Sequence, residues 1–169
     1  FDNIKKMDFE NELIPGVLIK RYKRFFADIK LKDKTITAHC PNPGSMFKLL
    51  GKGNPVWITK SDNEKRKLQH TLQIIEVNKI KFCVNTHITN KVVQESLEKK
   101  LIEELVEYNL VRPEKKFGAN TRFDFLLHNP KKDKKAFLEV KSVSLSRKEG
   151  HAEFPDAVTS RGKKHLESL

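Results

Sequence analysis

Residues 122–145 read RFDFLLHNPKKDKKAFLEVKSVSL. Phe123, Phe125 and Leu127 alternate with Arg122, Asp124 and Leu126, the period of two expected of a strand. After the loop HNPKKDKK the alternation resumes at Phe137-Leu138-Glu139-Val140-Lys141-Ser142. Folded about the middle of that loop, the hairpin sets Phe123 against Val140, Phe125 against Leu138 and Leu127 against Ala136. One face is then wholly apolar, and a slip of one residue would destroy it. The same register sets Asp124 opposite Glu139, with Lys141 two residues on and pointing the same way. Two carboxylates directly across a ladder repel. A divalent cation between them offsets the repulsion, and Asp124, Glu139 and the Val140 carbonyl form a hard-oxygen set suited to Mg²⁺ or Mn²⁺. Lys141 is placed to stabilise an attacked phosphate or to help activate a water.

The alternative is a solvated strand face of mixed charge. An acid-x-Lys tripeptide also occurs at Asp28-Ile29-Lys30, Glu98-Lys99-Lys100, Glu114-Lys115-Lys116 and Asp133-Lys134-Lys135, so by itself it carries no weight. Glu139 differs in its apolar neighbours and in the acid opposite it. If the two acids repel without metal, Asp124→Asn is expected to leave the metal-free protein as stable or slightly more stable.

The chain of 169 residues has 34 Lys and Arg against 22 Asp and Glu, a formal net charge of +12. That balance points to a polyanionic partner, nucleic acid before a membrane surface. General lysine richness is the competing explanation, because 27 of the 34 basic residues are Lys. Residues 1–85 hold 17 basic and nine acidic residues, net +8, and residues 86–169 hold 17 and 13, net +4. No apolar run approaches the roughly 18–20 residues of a membrane span, and no signal-peptide pattern opens the chain, so a cytoplasmic protein is expected. No P-loop or dinucleotide fingerprint is present, so no nucleotide cofactor is expected. The six histidines form no spaced ligand pair for zinc. Cys40 and Cys83, far apart in apolar strand patterns, are expected to be buried free thiols.

Residues 1–8 are left out of the fold reasoning, with Met7 a candidate natural start. Strand patterns then follow at Val17–Leu31, Thr35–Cys40, Pro55–Lys60, Thr71–Asn78 and Ile80–Asn85, with turns at Lys32-Asp33-Lys34 and Asn78-Lys79. A short helix fits Ser45–Leu50, entered through the rigid turn Cys40-Pro41-Asn42-Pro43-Gly44. Five short strands and one short helix suggest a small closed barrel of OB type over residues 9–85. Its strand at Lys20-Arg21-Tyr22-Lys23-Arg24-Phe25-Phe26 mixes four cations with three aromatics. Lys20, Tyr22 and Arg24 would share one face, with cations for phosphates and a ring to stack a base, while Phe26 enters the core. Lys65-Arg66-Lys67 is a second basic cluster, on a loop. Over residues 86–169 the pattern turns helical from a candidate N-cap at Asn90, with a second helical piece at Ile102–Tyr108. A strand near Leu110–Phe117, the hairpin and a last helix from about Ala157 complete an α+β sheet domain.

Seven blocks carry a resemblance to the sugar fermentation stimulation protein A (SfsA) family: LIPGVLIKRYKRFFAD (13–28), AHCPNPGSM (38–46), SDNEKRKL (61–68), NTHITNKVVQESL (85–97), RFDFLL (122–127), LEVKSVSL (138–145) and FPDAVTSRGKKHL (154–166). The resemblance implies an N-terminal OB-like barrel and a C-terminal domain similar to PD-(D/E)xK nucleases. It matches Asp124, Glu139 and Lys141 to the motif acids and lysine, and adds Glu95 of the first helix as a further acid and metal ligand. It also implies DNA binding and a link to regulation of sugar, notably maltose, metabolism. Phe123 stands where the motif name has Pro. Family chains usually continue by a strand and a helix beyond the point matched by Leu169, so a chain incomplete at its C-terminus is expected. Two functions follow: a DNA-binding, Mg²⁺-dependent phosphodiesterase, or a non-catalytic DNA-binding transcriptional regulator that retains a nuclease fold.

Overall fold

The computed structural model describes residues 8–117, 121–143, 145, 151 and 153. Two compact units divide the chain between His87 and Ile88, and Ser142, Val143, Leu145, His151 and Glu153 group with the first unit. The helix expected from about Ala157 lies outside the described residues.

The first unit is a closed five-stranded barrel. Its strands are β1 (Ile14–Tyr22), β2 (Phe26–Lys30), β3 (Thr35–His39), β4 (Pro55–Lys60) and β5 (His70–Val77), with β6 (Ile80–Cys83) added beside β5. The order β3-β2-β1-β4-β5 closes through a parallel pairing of His39 with Thr71. That is the OB topology expected from the strand spacing. Leu18, Ala27, Ile29, Ala38, Val56, Ile58, Leu72 and Ile75 alternate inward and are fully buried, each strand supplying one apolar face. Gly16 lets β1 and β2 approach closely: a Cβ there would lie 2.7 Å from Ile29 Cγ2 and 3.1 Å from the Lys30 carbonyl oxygen.

Several expectations need correction here. Val17–Leu31 is not one strand. The chain reverses at Lys23 and Arg24, whose φ values of 45° and 61° are left-handed, so Arg24 sits in a turn and shares no strand face with Lys20 and Tyr22. Phe26 is not core: its neighbours Ala27 and Ile29 point inward, while the Phe26 ring stacks on Tyr22 outside. Residues 45–50 form a turn and no helix, because Met46 (φ 50°) and Lys48 (φ 63°) leave the helical region. The turn is instead tied by Arg21, which donates to the carbonyls of Asn42 (2.7 Å) and Gly44 (3.0 Å). Cys40 is buried as expected, but Cys83 is exposed.

The second unit holds α1 (Thr89–Glu98), preceded by a 3₁₀ turn at Thr86–Ile88, and a sheet of order β7-β8-β9. The strands are β7 (Leu110–Phe117), β8 (Thr121–Asn129) and β9 (Lys134–Leu138). β8 and β9 pair in the register read from the sequence, Phe125 with Leu138 and Leu127 with Ala136. The ladder stops at Leu138, one pair short of Glu139. Leu97 and Val93 of α1 cover Phe125 and Leu127, joined by Ile102, Leu105, Tyr108, Val111, Ala136, Leu138 and Val140. Ile88, not Asn90, holds the N-cap position of α1. Ile102–Tyr108 contains only a 3₁₀ turn at Glu103–Leu105. Glu107 just beyond it accepts from Lys132 (2.9 Å) and Lys134 (3.1 Å), pinning the β8–β9 turn. Those two ammonium groups hold its carboxyl below the ordinary range. Among the described residues no helix is long and apolar enough to cross a membrane.

Candidate functional site

Asp124 stands on the middle strand of the second unit, half-buried between two donors. Asn90 of α1 donates through Nδ2 to Oδ1 at 2.9 Å. The backbone N–H of Val140 donates to Oδ2 at 2.8 Å. The second bond ties the Asp124 carboxylate to the peptide that joins Glu139 to Val140, beyond the end of the β8–β9 ladder. The end of the hairpin thus brings the Asp124 carboxylate to the Val140 amide, while the expected ladder pair of Asp124 with Glu139 does not form. Lys141 Nζ lies 3.0 Å from Glu139 Oε1, both side chains partly exposed.

Glu95 lies on α1 and is paired with Lys99 one turn on. Among the described residues no three His, Cys, Asp or Glu side chains gather closely enough to hold a metal ion, so Glu95 is not brought to Asp124 and Glu139 as a third ligand. The helical residue that does reach Asp124 is Asn90, which the sequence suggested only as a cap. Its position at the start of α1 was legible; its reach to a strand residue 34 positions away was not. Two carboxylates and a carbonyl still present the oxygen donors that Mg²⁺ or Mn²⁺ prefers, so the donor chemistry fits a hard divalent ion.

The basic residues of the barrel divide by task. Besides its bonds to Asn42 and Gly44, Arg21 donates through Nε to the Arg24 carbonyl at 2.9 Å, so its guanidinium braces two loops. Lys23 and Arg24 are exposed at the tip of the β1–β2 turn, and Lys65 and Lys67 are exposed on the β4–β5 loop. Arg66, half-buried on that loop, donates to Thr71 Oγ1 at 3.3 Å. Lys20 pairs with Asp28 at 3.6 Å and lies 5.3 Å above the Tyr22 ring. The Tyr22 hydroxyl and Thr37 Oγ1 both donate to Asp28 Oδ1, at 3.3 and 2.8 Å.

An OB barrel followed by a domain of helix and sheet, with an acid on the middle strand anchored by two donors, defines a two-domain protein. Residues 19–85 match the family model described as SfsA N-terminal OB domain, and residues 87–169 match that described as Sugar fermentation stimulation protein RE domain. The chain belongs to the sugar fermentation stimulation protein (SfsA) family. It is 52% identical over 163 residues to the sugar fermentation stimulation protein homolog of Pelagibacter ubique, covering 96% of this chain and 69% of that protein. The homolog of Ruegeria pomeroyi is 46% identical over 165 residues, covering 96% and 71%. A solved structure of Pyrococcus furiosus SfsA in complex with Ca²⁺ superposes with a TM-score of 0.81 at 25% identity, covering 98% of this chain and 69% of that one.

Proposed function

We propose that this protein binds nucleic acid, DNA foremost, through its barrel and cleaves phosphodiesters at Asp124, Glu139 and Lys141 when a divalent cation is bound. The observation that carries this reading is the 2.8 Å bond from the Val140 N–H to Asp124 Oδ2, which sets one acid beside the peptide that carries the other. Asp124, Glu139 and the Val140 carbonyl would hold the ion. A bound Mg²⁺ or Mn²⁺ would polarise the phosphate and make a water more acidic. The Ca²⁺ named with the Pyrococcus relative supports an oxygen-lined site in this fold, since Ca²⁺ and Mg²⁺ share a preference for oxygen. Asn90 and the Val140 amide hold the Asp124 carboxylate in one orientation. Lys141 supplies a cation for the attacked phosphate. Lys20, Lys23, Arg24, Lys65, Arg66 and Lys67 meet phosphates along the barrel, and Tyr22 offers a ring. The relatives' name ties the family to sugar fermentation, and regulation of sugar metabolism is the role we assign.

A second reading, DNA binding without cleavage, draws on the ion pairs already made by both remaining acids, Glu139 with Lys141 and Glu95 with Lys99. Incubation with labelled DNA and RNA, with Mg²⁺, Mn²⁺ or chelator, separates the two. Metal-dependent cleavage that Glu139→Gln abolishes establishes the first. Binding without cleavage under every metal leaves the regulator. Failure to bind any nucleic acid sinks both.

A further inference from the structure

The outer face of β1, β2 and β3 carries a row of rings that the charge pattern alone did not disclose. Tyr22 pairs with Phe26 across β1 and β2, and Phe26 pairs with His39 across β2 and β3, so the three stand side by side across three neighbouring strands. The rings of Tyr22 and Phe26 are stacked with centroids 5.5 Å apart. Phe25, 44% exposed, stacks on His39 at 6.4 Å. The exposed His87 continues the row, its ring 6.3 Å from that of His39. These spacings are those of aromatic pairs in contact, about 4.5–7 Å.

Buried polar bonds hold the far end of the row in place. Gln73 donates to Thr59 at 2.8 Å and accepts from Asn85 at 2.7 Å. Asn85 Oδ1 then accepts from the His87 N–H at 3.0 Å, and Thr86 donates to the Pro41 carbonyl at 2.6 Å. The segment carrying His87 is thereby fixed beside the end of β3. Arg66 closes the same end, since it is bonded to Thr71, the residue paired with His39. The carboxylate of Asp28 on this face is already held by Lys20, Tyr22 and Thr37.

We propose that Phe25, Phe26, His39 and His87 form a stacking platform for unpaired bases, with Arg66 holding a neighbouring phosphate, so that the barrel prefers single-stranded nucleic acid to duplex. This deepens the nucleic-acid reading and rests on it. Rings on a barrel face, the exposed Phe25 among them, stack on the π-faces of bases only where these are unstacked, as in a single strand. Duplex presents phosphates and groove edges, which a row of rings cannot read. The occupant is argued from charge as well as shape: residues 1–85 are net +8, and Lys20 and Arg66 flank the rings.

The test is titration of the full chain with a labelled oligo-dT of about 16 nucleotides, near the upper site size of one barrel, and with a hairpin duplex. Tighter binding of the oligo-dT is expected. Phe25→Ala should weaken that binding by about tenfold or more at unchanged salt slope, since stacking releases no counterions. Arg66→Gln should lower the slope by about 0.7. Phe25→Trp should keep the affinity and show indole quenching on oligo-dT addition beyond that of Trp57 in the parent, which guards against a merely misfolded Phe25→Ala. Duplex bound as tightly as oligo-dT, or single-strand affinity indifferent to Phe25→Ala, overturns the platform while the nucleic-acid reading stands. No binding of either probe removes both.

Discussion

Asp124 accepts from two donors, and an asparagine in its place can accept from only one of them. Its own amide would face either Asn90 Nδ2 or the Val140 N–H, donor against donor. Asp124→Asn is therefore expected to destabilise the metal-free protein by about 1–3 kcal/mol, the cost of a lost bond to a charged group. This reverses the expectation from repulsion alone, because Asp124 is held by donors. The same variant should lose any rise in melting temperature produced by Mn²⁺, since only an ion bound to the native state stabilises it. Melting curves of both proteins with and without Mn²⁺ check both statements; a variant as stable as the parent would refute the anchoring role. Arg21 and its neighbours part company in the same way. Arg21→Ala should lower stability by about 1–2 kcal/mol through the lost loop braces and leave the salt slope of DNA binding alone. Lys23→Ala with Arg24→Ala should instead flatten that slope by up to about 0.9 per lost phosphate contact. Equal slopes for all three proteins would remove the β1–β2 turn from the interface.

At the scale of elements, β1 and β2 depend on one small residue. A methyl group at Gly16 meets the fully buried Ile29 and the backbone of Lys30, neither of which can swing aside. Gly16→Ala should cost about 1–3 kcal/mol, as overpacking in a closed core does, and chemical denaturation measures it directly. An unchanged midpoint would show that β1 shifts freely. The β1–β2 turn shows how local chemistry can mislead. Lys23 and Arg24 carry no turn signal, yet both adopt left-handed φ, a conformation most side chains resist. The barrel requires the reversal because β2 must pair with both β1 and β3. Asn78-Lys79, by contrast, has the turn residue that the geometry favours at its first position, and that turn was legible.

For the whole molecule, two barrel histidines tie stability to pH. Burial first, then the charges of Arg66 and His87, hold His39 below its ordinary value of 6.5. Burial, then Lys34 and Lys60, do the same for His70. The unfolded chain therefore takes up protons at a higher pH than the folded one. The stabilisation is fully present above the unfolded value and is lost as pH falls through the folded one, below which both states are protonated. Denaturation midpoints should drop as pH falls from neutrality through the ordinary histidine value of 6.5, and His39→Asn with His70→Asn should flatten the drop. A midpoint that rises on acidification would contradict the placement of both rings among cations.

Some of this was settled by the chain alone. Alternation determined the hairpin register over Phe125–Leu127 and Ala136–Leu138, because only one pairing keeps the apolar side chains on one face; the pairs expected beyond it, Asp124 with Glu139 and Phe123 with Val140, do not form. The spacing of the first strand signals determined a small barrel for the same reason. Tertiary structure decided the rest. Asn90 meets Asp124 only because the start of α1 lies within reach of β8, and Tyr22, Phe26 and His39 form a row only because three strands lie side by side. Arg21 became a brace because its reach ends at the carbonyls of Asn42 and Gly44. Periodicity reports which face a residue points from, a local property of the backbone, whereas partners across 16 to 34 residues are set by packing that no local pattern encodes.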